Sequence, residues 1–210
     1  MKAKKGLLES DSVNQKLLEK VKAEVGNRTG AHGLDHFMRV RKYAVYIAKK
    51  EGANVKIVEA MAFLHDLVRY EDEREEYSVE ETIKKATEVL ANLKQFSDAD
   101  TKVILDGIRS HSLHSKIDAM PGSLEAKVLF DADKLDSVGR VGIARWFITM
   151  ASRNLTINQI AQIYIKTIKE QQLKMDGKLY TETGTRMIGK KLPWTLKFME
   201  GLIKEIGVDT

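Results

Sequence analysis

The chain has no cysteine. That excludes disulfides, thiolate metal ligands and a cysteine nucleophile. It is also consistent with a cytoplasmic address, which is the expectation here. Only two prolines occur among 210 residues, Pro121 and Pro193, so little in the sequence breaks helices. Period-two alternation of the strand type is hard to find. No apolar run approaches the roughly 18 residues that a membrane helix needs, and the opening Met1-Lys-Ala-Lys-Lys lacks the apolar core of a signal peptide. A dense basic stripe with interleaved aromatics is missing too, which argues against nucleic acid as the partner.

What is present is ordinary for a globular chain: 43% hydrophobic and 31% charged residues, with a net charge of +5. The length suits one domain over 1–210. We expect a core of about 30–150 with C-terminal helices over 151–210 packed on it. The surplus positive charge is spread along the chain, which favours a small phosphorylated ligand over a polyanion.

Apolar spacing of three and four residues predicts a succession of helices. One covers Val13 to Val25, with Leu17, Leu18, Val21 and Val25 inward. A glycine-rich loop, Gly26 to Gly33, follows. Asp35 is the expected N-cap of a helix to about Glu51, and a further helix ends in His65-Asp66. Ser78 and Glu81 fit a capping box for Val79 to about Leu93, and Ser97 or Asp98 opens the next. Ser123 caps Leu124 to about Val138. Gly139 and Gly142 interrupt before Ile143 to Met150, and Thr156 to Leu173 and Leu192 to Ile206 complete the set. The expected fold is therefore all-α, a multi-helix bundle.

Metal-competent side chains fall at helix ends. His36 lies just inside one start, and His65 and Asp66 close the next helix. Asp131, Asp133 and Asp136 lie together in Phe130-Asp-Ala-Asp-Lys-Leu-Asp136. Imidazole with carboxylate suits a divalent first-row transition ion, and Mg²⁺ remains open if few imidazoles bind. Neighbours on a helix differ by about 100° in direction, so His65 and Asp66 can straddle an ion beside their helix. Asp136, three residues from Asp133, shares its face and could orient a ligand or the attacking water. Asp131 falls on another face and reads as solvent-facing or supporting.

This order, His36-x-x-Arg39-Val40, then His65-Asp66, then Asp133, resembles the signature of the HD-domain metal-dependent phosphohydrolases. The resemblance spans roughly Gly30 to Met150. Gly30-Ala-His32-Gly-Leu-Asp35-His36 is similar to the family's lead into its first ligand. Ser110-His111-Ser112 and Asp131 to Arg145 resemble a small bacterial and archaeal branch that includes nucleoside triphosphate pyrophosphohydrolases. The resemblance implies His36, His65, Asp66 and Asp133 as ligands of one divalent ion (Mn, Co, Ni, Fe or Mg). The implied reaction is hydrolysis of a nucleoside triphosphate to monophosphate and pyrophosphate by metal-activated water. It disfavours a second ion on His111 and His114.

One position departs from the pattern. Several family members carry an acid three residues after the HD aspartate, where this chain has Arg69. The general base is then open among the metal-activated water itself, Glu71, Asp72 and Asp136. Asp66, Asp136 and Lys134 are the expected catalytic residues. Arg39, Arg69, His111, Lys134, Arg140 and Arg145 are the expected substrate contacts, while Trp146 and Phe147 read as core and His32 as pocket rim or loop. Other readings stay open: a nucleoside monophosphate phosphatase or phosphodiesterase on the same site, a silenced nucleotide sensor, and a nucleic-acid-binding helical module. A homo-oligomer is compatible with all of them.

Overall fold

A computed structural model describes residues 14–68, 79–111, 120–174 and 179–207. Within them there are nine α-helices, two short 3₁₀ turns and no strand. The helices are α1 Gln15–Val25, α2 Leu34–Glu51, α3 Val55–Leu64, α4 Val79–Leu93, α5 Asp98–Ser110, α6 Leu124–Asp136, α7 Gly139–Met150, α8 Ile157–Lys174 and α9 Glu182–Glu205. None of the helices is long and apolar enough to cross a membrane.

The larger core joins α1 to α6. Leu17, Leu18 and Val21 of α1 share it with Phe37, Val40, Ala44 and Ile47 of α2, and all are fully buried. From α3, α5 and α6 the same core takes Val58, Met61, Phe63, Ile104, Ile108, Val128 and Leu129. α3 is buried nearly all round because it runs through the centre. Its one charged core residue, Glu59, pairs with Arg41 at 2.6 Å and accepts from Asn14. A smaller core joins Val138, Ile143, Ala161, Tyr164, Ile168, Leu192 and Met199 of the C-terminal helices and their approach.

Caps explain several boundaries. Ser97 accepts from Asp100 N, Ser123 from Ala126 N and Thr181 from Gly184 N. Asn54, not anticipated, accepts from Lys56 and Ile57 at the start of α3. Other boundaries need correction. Asp35 does not cap α2; Gly33 precedes the helix, and Asp35 pairs one turn along with Arg39. The proposed Ser78 cap lies outside the described residues. Gly139 and Gly142 do not interrupt α7. Gly139 starts it at φ +79°, and Gly142 lies against the Ser137 backbone, where a Cβ would clash. α9 starts ten residues before the expected Leu192 and carries Pro193 inside it. A proline inside a helix lacks one backbone donor. Here burial of both flanking halves outweighs the backbone hydrogen bond it lacks.

Asp131 is not solvent-facing. It is fully buried and accepts from Tyr180 N at 2.9 Å, Thr181 N at 2.8 Å and Thr181 Oγ1 at 2.6 Å, fastening the start of α9 to α6. Burial pushes its carboxyl up to about 6, against the pull of those donors.

Candidate metal centre

Three helix ends converge in the larger core: the first turn of α2, the C-terminal end of α3 and the last turn of α6. His36 comes from the first, His65 and Asp66 from the second, Asp133 and Asp136 from the third. Both imidazoles are fully buried. Their Nε2 atoms face each other at 3.1 Å.

Hydrogen bonds at the far side of each ring decide what those atoms carry. His65 Nδ1 is 3.0 Å from the carbonyl oxygen of Ala62. A carbonyl only accepts, so Nδ1 holds the proton and Nε2 holds a lone pair. His36 Nδ1 is 2.8 Å from Asp136 Oδ2, an acceptor, so Nδ1 holds a proton there too and Nε2 is the nitrogen turned to the centre. Burial pushes the His65 imidazole down to about 3, so it stays neutral. With both rings neutral, two lone pairs would meet at this distance, and a cation between them, a metal ion or a proton, resolves the contact.

The carboxylates complete the set. Asp66 Oδ2 lies 3.7 Å from His36 Nε2 and 3.9 Å from His65 Nε2. Asp133 Oδ1 lies 3.8 and 4.0 Å from the same two atoms. Each separation is under about 4.2 Å, twice a metal–nitrogen or metal–oxygen bond of about 2.1 Å, so one ion can touch both members of each pair. Burial opposes ionisation of Asp133. Lys134, with Nζ 2.9 Å from Asp133 Oδ2, and the imidazoles around it outweigh that and hold its carboxyl below the usual carboxylate range. His36, His65 and Asp133 form one close group and His32, His36 and Asp66 another, so the donor set suits a divalent ion, with His36, His65, Asp66 and Asp133 as the residues that would hold it. His32 joins from the loop, with Nδ1 3.1 Å from Asp66 Oδ2.

The other expected site residues divide by where their side chains go. His111 closes α5 as His65 closes α3. Its Nδ1 donates to Ile108 O, three residues back, at 2.5 Å, leaving Nε2 3.7 Å from Asp66 Oδ1. Lys134 sits beside Asp133 and over the Phe130 ring. Arg39 and Arg145 both go to Asp136: Arg39 Nε reaches Oδ1 and Arg145 Nη1 reaches Oδ2, each at 2.8 Å. With His36, these contacts outweigh burial and hold the Asp136 carboxyl down at about 2. Arg140 is exposed and lies over the Trp194 ring. Trp146 is partly buried in the smaller core. Arg69, Glu71, Asp72 and His114 lie outside the described residues.

One residue of this region was not singled out from sequence. Arg28, in the glycine-rich loop, donates Nη1 to Asp66 O at 2.9 Å and Nη2 to Leu67 O at 2.7 Å. These carbonyls follow the end of α3, where a helix leaves acceptors unsatisfied and a cation is favoured. The available signal was weak, an arginine in a loop otherwise made of small and polar residues.

Comparison with known proteins agrees with this geometry. The HD domain family matches residues 33–138, the span that holds all four ligand candidates and Asp136. The chain belongs to the HD-domain superfamily of metal-dependent phosphohydrolases. In sequence it is similar to the uncharacterized protein YpgQ of Bacillus subtilis, 28% identical over 195 residues, which cover 90% of this chain and 92% of YpgQ. The crystal structure of Bacillus subtilis YpgQ in complex with ADP superposes with a TM-score of 0.67 at 26% identity, covering 95% of this chain and 97% of that one. A protein described as a predicted HD superfamily hydrolase, from an uncultured Thermotogales bacterium, superposes with a TM-score of 0.64 at 25% identity, covering 91% and 92%.

Proposed function

We propose that this chain hydrolyses nucleotides, with a nucleoside triphosphate cut between its α and β phosphates as the preferred reaction. The observation that carries this reading is that Nε2 of His36 and of His65, 3.1 Å apart, each have a carboxylate oxygen of Asp66 and one of Asp133 within 4.0 Å. A divalent ion held by those four residues would supply Lewis acidity toward a phosphoryl oxygen and would lower the pKa of water, toward about 7 in favourable sites. Water adds to the α-phosphorus, the bond to the bridging oxygen breaks, and pyrophosphate leaves with the electron pair of that bond and takes up the proton that the water releases.

The chain's own side chains have distinct parts in this reading. Lys134, partly exposed at the edge of Asp133, neutralises charge developing on the phosphates. His111 stands on the other side of Asp66, where its Nε2 can hydrogen-bond a substrate or water oxygen. Asp136 is occupied by His36, Arg39 and Arg145, so it orients His36 rather than accepting a proton from water. The ADP seen with YpgQ carries the α–β anhydride that such a site would meet, which favours a nucleotide substrate.

The test is a matrix of Mn²⁺, Co²⁺, Ni²⁺, Fe²⁺ and Mg²⁺ against nucleoside tri-, di- and monophosphates and diesters. Wild type and Asp66→Ala are compared, with pyrophosphate and orthophosphate read separately. Pyrophosphate from the wild type alone is the expected result. Orthophosphate alone points to a phosphatase, and turnover of a diester without pyrophosphate points to a phosphodiesterase. Nucleotide binding with no turnover under any ion overturns the hydrolytic reading in favour of a sensor.

A further inference from the structure

The two arginines expected at the substrate have a different geometry in the fold. Asp136 is fully enclosed, and its oxygens are divided among three partners. Oδ1 accepts from Arg39 Nε at 2.8 Å. Oδ2 accepts from His36 Nδ1 and Arg145 Nη1, both at 2.8 Å, and from Arg39 Nη2 at 3.2 Å. Arg145 reaches further than Arg39. Its Nε donates to Ala31 O at 2.8 Å, and its Nη1 also lies 3.3 Å from the Asp136 carbonyl oxygen. One guanidinium thus joins α7, the end of α6 and the 3₁₀ turn Gly30–His32 that leads into His36.

We propose that Arg145 is a positioning residue for the metal centre. With Arg39 it seats Asp136 on His36 Nδ1, so that His36 presents a lone pair, and not a proton, toward His65. The claim rests on the reading that a divalent ion binds there, and it extends to how tightly the ion binds. Three geometric facts support it. The chain from Arg145 through Asp136 to His36 is continuous and close to fully buried, with the Arg145 side chain 14% exposed and the other two at zero. The two donations leave different nitrogens of one planar group, Nε to Ala31 and Nη1 to Asp136, a fixed fork that the single nitrogen of an ammonium does not reproduce. Partners behind a metal-bound histidine set its tautomer and ring orientation, and their loss commonly costs about 10–100-fold in metal affinity. Gly142, one turn before Arg145 on α7, lies against Ser137 with no room for a side chain, which fixes where the arginine starts.

The alternative is that Arg145 contacts the phosphate tail of a substrate, and the two roles predict different losses. Mn²⁺ binding to the metal-free protein is measured by calorimetry and by electron paramagnetic resonance for wild type, Arg145→Lys, Arg145→Ala and Asp136→Asn. Imidazole ¹⁵N shifts report the His36 tautomer in each. We expect Arg145→Ala and Asp136→Asn to weaken Mn²⁺ by about 10–100-fold and to mix the His36 tautomers. Arg145→Lys should fall between them and wild type, and KM at saturating Mn²⁺ should stay within twofold. Unchanged Mn²⁺ affinity and tautomer in the folded variants, with a raised KM, overturns the proposal and returns Arg145 to the substrate. If Arg145→Ala does not fold, the lysine and Asp136→Asn variants decide on the same readouts. Failure of the wild type to bind Mn²⁺ or any other divalent ion sinks the metal reading itself, a result distinct from a wild type that binds and variants that do not differ.

Discussion

At the scale of single residues, the centre is set by where protons are not. His65 gives its only proton to Ala62 O and is held neutral by burial, so its Nε2 opposes that of His36. Such a pair is unfavourable alone and useful to a cation. In the wild type, a divalent ion at about 100 times its Kd should add about 2.7 kcal/mol of stability, seen as a fall in Tm on chelation. In His65→Ala that fall should vanish, and a scan with and without chelator checks it. Lys134 acts on the substrate side of Asp133, so Lys134→Met should lower kcat/KM about 10–100-fold, or about 1.4–2.7 kcal/mol, while leaving Mn²⁺ affinity at or above the wild-type value. Steady-state kinetics beside calorimetry separates the two. The ligand candidates were legible in sequence through the order His36, His65-Asp66, Asp133, which matches the HD signature; a His-Asp pair closing one helix would serve equally well as a cap. Asp131, by contrast, looks the same in sequence whether it meets water or the start of a helix fifty residues away. Its burial depends on where α9 docks, which local spacing does not encode.

At the scale of elements, two contacts hold the helices that carry the ligands. Glu59 ties α3 to Arg41 of α2 and to Asn14 at the head of α1, all buried. Removing one member of a buried pair leaves the other charged and desolvated. Glu59→Ala should cost about 3–5 kcal/mol in urea unfolding, with a double Glu59→Met, Arg41→Met variant recovering most of it. Gly142 allows α7 to turn back tightly on the end of α6, and a methyl there meets the Ser137 backbone, which has no rotamer to yield. Gly142→Ala should destabilise by about 1–3 kcal/mol and loosen the Arg145–Asp136 contact. Thermal unfolding measures the first effect and His36 ¹⁵N shifts the second. The sequence reading treated this glycine as a helix break, because glycine weakens helices in general. Close approach is the better reason here, and it needs the neighbouring backbone to be known. α9 likewise starts earlier than its apolar spacing indicated, running through Pro193 with buried residues on both sides of it.

At the scale of the whole molecule, the all-α class followed from apolar spacing and the near absence of strand patterns, but the division into two cores did not. Tyr164 belongs to the smaller core and donates its hydroxyl to Ser137 O at 2.8 Å, and burial pushes its phenol above the usual tyrosine range. A group with a folded pKa above its unfolded value contributes stability that is present below the unfolded pKa, near 10, and is lost as pH rises beyond it. Tyr164→Phe should therefore cost about 1 kcal/mol at pH 8 and lose less stability than wild type between pH 9 and 11, as urea titrations would show. α9 bridges the two cores. Its first turn is fastened to α6 by Asp131, whereas Leu192 and Met199, further along, belong to the smaller cluster with Tyr164. One helix thus takes part in both cores. Amides in its last turns should exchange with solvent through a smaller opening event than amides near Thr185, so the C-terminal helices could breathe, or drift in sequence over evolution, while the histidines stay registered.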